Sequence, residues 1–172
     1  MPRGRGRMNI RDEIAADAGA IRALTSAAFA GMPYASGTEA AIVGGLRAAG
    51  ALTISVVATE AGKVVGHAAF SPVTIDGEAG LWFGLGPLSV EPQRQRGGIG
   101  TSLVRSGLDR LAAIGAEGCV VLGDPAYYGR FGFSSDPGLR YGNLPPQHFQ
   151  RLVLAGQPPS GEVVFHRAFG GA

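Results

Sequence analysis

The 172 residues are 45% hydrophobic, enough for one domain with a sizeable core that needs no disulfide or metal to hold it. Cys119 is the single cysteine, which excludes an intrachain disulfide and fits a cytoplasmic setting. No apolar stretch approaches the roughly 20 residues of a membrane helix, no signal peptide is visible, and the formal charge of +2 falls to −1 once Arg3, Arg5 and Arg7 are set aside, so neither a membrane nor a nucleic acid is the expected partner.

Residues 1–7, Met-Pro-Arg-Gly-Arg-Gly-Arg, read as a disordered basic tail with Met8 as an alternative start, and residues 8–172 as a single domain. Met8 to Arg11 fits a short first strand. Asp17 stands where an N-cap or first-turn acid belongs, and Ile21, Leu24, Ala28 and Phe29 follow at helical spacing to about Ala30. Gly31-Met32-Pro33-Tyr34 breaks that helix. A second runs from Thr38 to Ala49, with Ile42, Val43 and Leu46 on one side and Gly50 at its end. Thr53 to Thr59 is β-branched, Ala61-Gly62 turns the chain, and Val64 to Val73 is its antiparallel partner. After a turn at Asp76-Gly77, the apolar run Leu81 to Val90 is a central strand. A helix from about Gly98 to Ile114 buries Ile99, Leu103, Val104, Leu108 and Leu111. Cys119 to Leu122 is a short buried strand. A brief helical turn follows Asp124-Pro125, and Phe149 to Leu154 and Glu162 to His166 form a terminal hairpin. The fold class is therefore α/β: a mixed, mostly antiparallel sheet flanked by helices, with a strand–loop–helix unit at its centre.

That central unit carries the chemistry. A strand ends at Leu88-Ser89-Val90, the loop Gln95-Arg96-Gly97-Gly98-Ile99-Gly100 follows, and a helix begins. The first helical turn has free N–H groups and a partial positive charge, and glycines let an anion approach them. Arg94 and Arg96 add positive charge nearby. This is the construction of a phosphate or pyrophosphate cradle. A Walker loop would carry Lys after its last glycine, and Gly100 is followed by Thr101-Ser102. A dinucleotide fingerprint would have a third glycine or alanine where Leu103 stands, and little space after the strand. Here seven residues, Glu91 to Gly97, intervene. Asp124, at the end of the next strand, keeps an NAD(P)-dependent reductase as the weaker alternative.

The pattern Gln95-x-x-Gly98-x-Gly100 resembles the Gln/Arg-x-x-Gly-x-Gly/Ala signature of the GNAT superfamily of N-acetyltransferases. The wider stretch Gly86 to Gly100 resembles the family's strand-bulge-helix, above all in its small bacterial YhbS-like members. Tyr128-Gly129-Arg130-Phe131-Gly132-Phe133 is similar to its Tyr-x-x-x-Gly-Phe segment. The resemblance covers nearly the whole chain after the tail and implies a GNAT-like fold that takes acetyl-CoA as co-substrate and needs no metal. It implies that the backbone of Leu88, Ser89 and Val90 pairs with the pantetheine arm. N–H groups from Arg96, Gly97, Gly98, Ile99, Gly100 and Thr101 would hold the pyrophosphate, with Gln95 shaping the loop. The Leu88 strand would splay from the Val121 strand to open a slot for the thioester. Tyr128 would protonate the departing thiolate, with Tyr127 as the fallback. Asp124 departs from the pattern, standing where many relatives have Asn.

Direct transfer to a primary amine also needs a base for the amine proton. Glu39 on the second helix is the first candidate and Glu78 near the central strand the second. His67 has apolar strand neighbours and reads as a satisfied core histidine, His148 and His166 have no metal-ligand spacing, and Cys119 reads as a buried inert thiol. The segments 31–37 and beyond Asp136, with Tyr34, Arg140, Tyr141 and His148, are expected to line the acceptor site. They select no amine, so a small molecule and a protein amino group both stay open, as does a homodimer. A non-catalytic acyl-CoA-binding sensor is the alternative from another class; it would bind the cofactor and acetylate nothing.

Overall fold

The computed structural model describes residues 8–33 and 35–170, so Arg3, Arg5, Arg7 and Tyr34 lie outside the described residues. In chain order the elements are β1 (Met8–Asp12), α1 (Ala18–Phe29), α2 (Glu39–Ala48), β2 (Ile54–Glu60), β3 (Lys63–Ile75), β4 (Glu78–Val90), α3 (Ile99–Ala113), β5 (Gly118–Leu122), α4 (Pro125–Tyr128), β6 (Leu139–Arg140), β7 (Phe149–Val153) and β8 (Gly161–Phe165). Among the described residues no helix is long and apolar enough to cross a membrane.

One sheet runs β1-β2-β3-β4-β5-β7, with β8 added to the far end of β3. Along that run pairing is antiparallel except between β4 and β5, which the crossover helix α3 makes parallel; the short β6 also lies parallel to β8. Strand alternation divides the core. Val56, Ala58, Phe70, Leu85 and Val121 point to one face, where α3 buries Ile99, Leu103, Val104 and Leu111 against them. On the other face Val57 meets Ile21 of α1 and Val43 of α2. Both faces of the middle strands are covered, which is why β2 reads as a continuous β-branched run rather than an alternating one.

The expected terminal hairpin does not form. β7 pairs with β5, whereas β8 pairs with β3 over Val73↔Phe165 to Ile75↔Val163, and with the two-residue β6. β3 extends past Phe70, its last partner on β2 being Ile54, and this leaves an unpaired edge. β8 covers that edge, and Val163 and Phe165 complete a second apolar cluster with Val73, Trp82, Val120 and Phe149.

A bulge in β4 positions the site. Ala68 pairs with Leu88 and Phe70 with Leu85, so Gly86 and Pro87 together oppose the single residue Ala69. Pro87 has no N–H to give the ladder, and an extra residue bends the strand. Beyond the bulge β4 stays with β3 to Gly66↔Val90 but leaves β5, whose last pair with it is Leu85↔Val121.

Candidate active site

The splay leaves Leu88 to Val90 with β3 on one side and an open edge on the other. Glu91 N–H donates to the Val65 carbonyl, 2.8 Å, so residues of its parity face β3. By alternation the N–H and C=O groups of Leu88 and Val90 face the gap, while those of Ser89 face β3. Ser89 itself is buried. Of the three strand residues singled out in the sequence, two therefore present backbone to the gap and one does not.

The open edge leads into a groove of about 630 Å³ lined by Leu88, Val90, the loop residues Arg94 to Arg96, Gly98 to Thr101, and Tyr127 and Arg130 from the α4 region, with Phe29 and Met32 across it. Gly98 is the N-cap of α3 with φ of +87°, a left-handed conformation that favours glycine. Ser102 N–H is the first to bond back, to Gly98 O at 3.0 Å. The N–H groups of Ile99, Gly100 and Thr101 have no intrahelical acceptor and carry the positive end of the helix dipole. Gln95 Nε2 donates to Val90 O, 3.2 Å, and ties the loop back to the strand.

The charge around the loop differs from the sequence expectation in one respect. Arg94 is taken up by Glu60, at the end of β2, in a close ion pair. Arg96 and Arg130, by contrast, form no ion pair with a carboxylate among the described residues. The free positive charge of the groove therefore comes from Arg96 and Arg130, not Arg94.

The two tyrosines separate. Tyr127 lines the groove: its hydroxyl lies 3.5 Å from Thr101 Oγ1 and 3.0 Å from where a Cβ on Gly100 would sit. Tyr128 is half-buried, edge-on to Phe133 with centroids 5.9 Å apart, and its ring lies against Gly123, where a Cβ would come within 2.4 Å of Cε2. Gly123 directly follows β5, at the mouth of the splay. Asp124 caps α4 by accepting from Ala126 N–H at 2.9 Å, a role that Asn fills equally well, so the departure from the family pattern preserves the local structure.

Glu39, the first residue of α2, accepts through Oε1 from Ser36 N–H at 2.8 Å, in the turn that leads into the helix. It borders a small hollow of about 250 Å³ that shares Phe29 and Met32 with the groove. Glu78 sits elsewhere: it opens β4, ten residues before Leu88 and about 30 Å from it along the strand. It is therefore removed as a base. Arg140 pairs loosely with Glu162 at 3.8 Å, and Tyr141 is packed between Phe149 and Phe165. Neither lines the groove, because the ring of Tyr141 is needed by the second apolar cluster. His148 lies in a short turn, where its carbonyl accepts from Gly123 N–H at 2.9 Å.

His67 is fully buried and shares a 2.8 Å hydrogen bond between Nε2 and Ser55 Oγ; Ser55 also donates to Glu13, which Arg47 grips with two nitrogens at 3.0 Å. Burial pulls its pKa from the ordinary 6.5 down to about 4. The unfolded chain then binds a proton between these values that the folded chain refuses, so this stability is present above pH 6.5 and is lost as pH falls towards 4. The expected loss between pH 7 and pH 5 is roughly 2 kcal/mol at about 1.4 kcal/mol per unit. Urea unfolding at the two values measures it, and equal stabilities would contradict it. Cys119 is fully buried, and burial pushes its thiol pKa up, so it is no nucleophile. Among the described residues no group of three or more His, Cys, Asp or Glu could hold a metal.

A second concavity, of about 540 Å³, is lined by Asp12, Glu13, Arg47 and Arg110, but its charges neutralise one another in Glu13–Arg47 and Asp12–Arg110 pairs. The groove beside β4 is different. It offers peptide groups along one stretch, unbonded amides with two unpaired arginines along the next, and an aromatic hydroxyl between, the complement of an extended ligand that carries amides and a polyanion. The sequence profile of the acetyltransferase (GNAT) domain matches residues 52–135, the span from β2 through this groove to Phe133. An uncharacterized N-acetyltransferase of Escherichia coli K12, YhbS, is 45% identical over 127 residues, 73% of each chain. A GNAT acetyltransferase from Brucella melitensis, solved in complex with acetyl-CoA, is 48% identical with a TM-score of 0.86 over 95% of this chain and 98% of that one. The E. coli YhbS structure, in complex with CoA, is 39% identical with a TM-score of 0.88 over 96% of this chain and 93% of that one. The chain belongs to the GNAT family of acetyltransferases.

Arg130 lines the groove, although the sequence did not single it out. Its signal was present: it stands three residues after Tyr127 on a helical turn, which places both on one side.

Proposed function

We propose that the protein moves the acetyl group of acetyl-CoA directly to a primary amine, with both substrates bound together. The observation that carries this is the edge of Leu88 and Val90, which faces the gap with the Val90 carbonyl held by Gln95 and is continuous with the unbonded amides of Ile99 to Thr101. Bound acetyl-CoA would supply a thioester carbonyl. The residues of the chain fit such a donor: the β4 edge pairs with an amide-bearing arm as an added strand would, and the loop amides take a diphosphate. The Leu88 N–H polarises the carbonyl that the amine attacks. Glu39 is assigned the amine proton, from its hollow beside the groove. Tyr128 gives its phenolic proton to the sulfur as the carbon–sulfur bond breaks; a phenol near pKa 10 and a thiol near 8.5 are close enough for the transfer. Tyr127 already faces the loop hydroxyl of Thr101, which leaves the mouth of the splay to Tyr128. No acyl-enzyme is part of the reaction, since Cys119 is buried away from the groove.

Initial rates across a panel of amines, with CoA release as readout, test this. Intersecting double-reciprocal lines are expected for the accepted amine. Parallel lines, the mark of a covalent relay, would contradict it.

A further inference from the structure

Arg130 is held in a particular way. Its Nε donates to the Tyr127 carbonyl at 3.0 Å, and its guanidinium carbon lies 4.4 Å from the centre of the Tyr127 ring. Nη1 reaches 3.4 Å from Thr101 Oγ1, across the groove mouth from α4 to the first turn of α3. The fork is thus fixed by one carbonyl, one aromatic face and one hydroxyl, all neutral. No carboxylate among the described residues compensates its charge, although carboxylates engage Arg11, Arg47, Arg94, Arg110, Arg140 and Arg151. A planar guanidinium held against an aromatic ring and aimed at a helix N-terminus loses little freedom on gripping an anion and can do so with two parallel bonds.

We propose that Arg130, braced by Tyr127, is a clasp that grips the diphosphate of the donor beside the Gly98–Thr101 amides, and that it selects donors carrying a diphosphate over those ending in pantetheine. The inference rests on the acetyl-CoA reading above. Its place on the ligand follows from Thr101: Nη1 lies against the first turn of α3, where the loop amides converge, so the diphosphate rather than a more distant ribose phosphate is its partner.

Calorimetric titration of the full chain with CoA, 3′-dephospho-CoA and pantetheine tests it. Arg130→Gln is expected to weaken CoA and dephospho-CoA alike by about tenfold and to leave pantetheine unchanged, as the loss of a charge-assisted pair at an exposed site would. Arg130→Lys, which keeps the charge without the fork, is expected to fall between the two. Equal CoA affinity in wild type and Arg130→Gln overturns the clasp while leaving the acetyl-CoA reading intact. A loss confined to CoA, with dephospho-CoA unaffected, overturns the diphosphate assignment in favour of the 3′-phosphate. If wild-type protein binds none of the three, the acetyl-CoA reading itself fails.

Discussion

Gly98→Glu is expected to weaken acetyl-CoA binding by more than a hundredfold while the protein stays folded. Two effects act at this position. The first is conformational: φ is +87°, and a side chain there costs about 1–2 kcal/mol. The second is electrostatic. Gly98 caps the α3 N-terminus, so the carboxylate would occupy the charge-matched end of the helix and repel a diphosphate brought to the same amides. A like-charge contact near 4–5 Å costs roughly 3–4 kcal/mol at the effective dielectric of a protein surface, and every 1.4 kcal/mol is tenfold in affinity. The same carboxylate favours the helix dipole, which offsets part of the backbone strain and keeps the fold. No other residue comes within 4 Å of a Cβ at Gly98, so there is no packing clash to confuse the result. Gly98→Ala separates the effects, since it carries the strain without the charge and is expected to lose far less. Calorimetry with circular dichroism as the fold control measures both variants. Unchanged affinity in Gly98→Glu would mean that the anion binds elsewhere.

Tyr128→Phe is expected to lower turnover by about a hundredfold, the low end of what a positioned general acid contributes, and to leave acetyl-CoA affinity within twofold. The aromatic ring, which packs on Gly123 and Phe133, is retained, so the fold has no reason to change. Tyr127→Phe is the informative contrast. Its hydroxyl meets Thr101 at the loop, so its removal should alter donor affinity modestly and spare the chemical step. An unaltered rate in Tyr128→Phe, or a larger rate loss in Tyr127→Phe, would reassign the acid.

The parts of this site that were legible in the sequence are those whose signals are local. The Gly98–Gly100 loop and the apolar stripe of α3 from Ile99 to Leu111 each declare themselves within a few residues, because a helix N-terminus and a buried helical face have fixed chemical requirements, whereas the bulge at Gly86-Pro87 came only with the family resemblance. What the sequence did not yield depends on pairings between distant residues. Arg94 looked like part of the phosphate cradle, but Glu60, 34 positions earlier, takes its charge. β8 looked like the partner of β7, but the overhang of β3 past Ile54 was a better edge. Tyr141 looked available to an acceptor until the fold placed it between Phe149 and Phe165. Glu78 read as close to the central strand because it is close in sequence, yet a strand of 13 residues separates its ends by more than the width of any site. His67 is buried among apolar neighbours as the sequence implied but only half satisfied: Nε2 meets the Ser55–Glu13–Arg47 chain, whereas buried Nδ1 has no hydrogen-bond partner among the described residues.

We place acyl-CoA binding at the open edge of β4 together with the α3 N-terminus. Titration calorimetry of the wild-type chain with acetyl-CoA tests it most directly. Saturable binding of one molecule per chain, strongly weakened by Gly98→Glu, is expected; no detectable binding at millimolar acetyl-CoA would overturn the assignment.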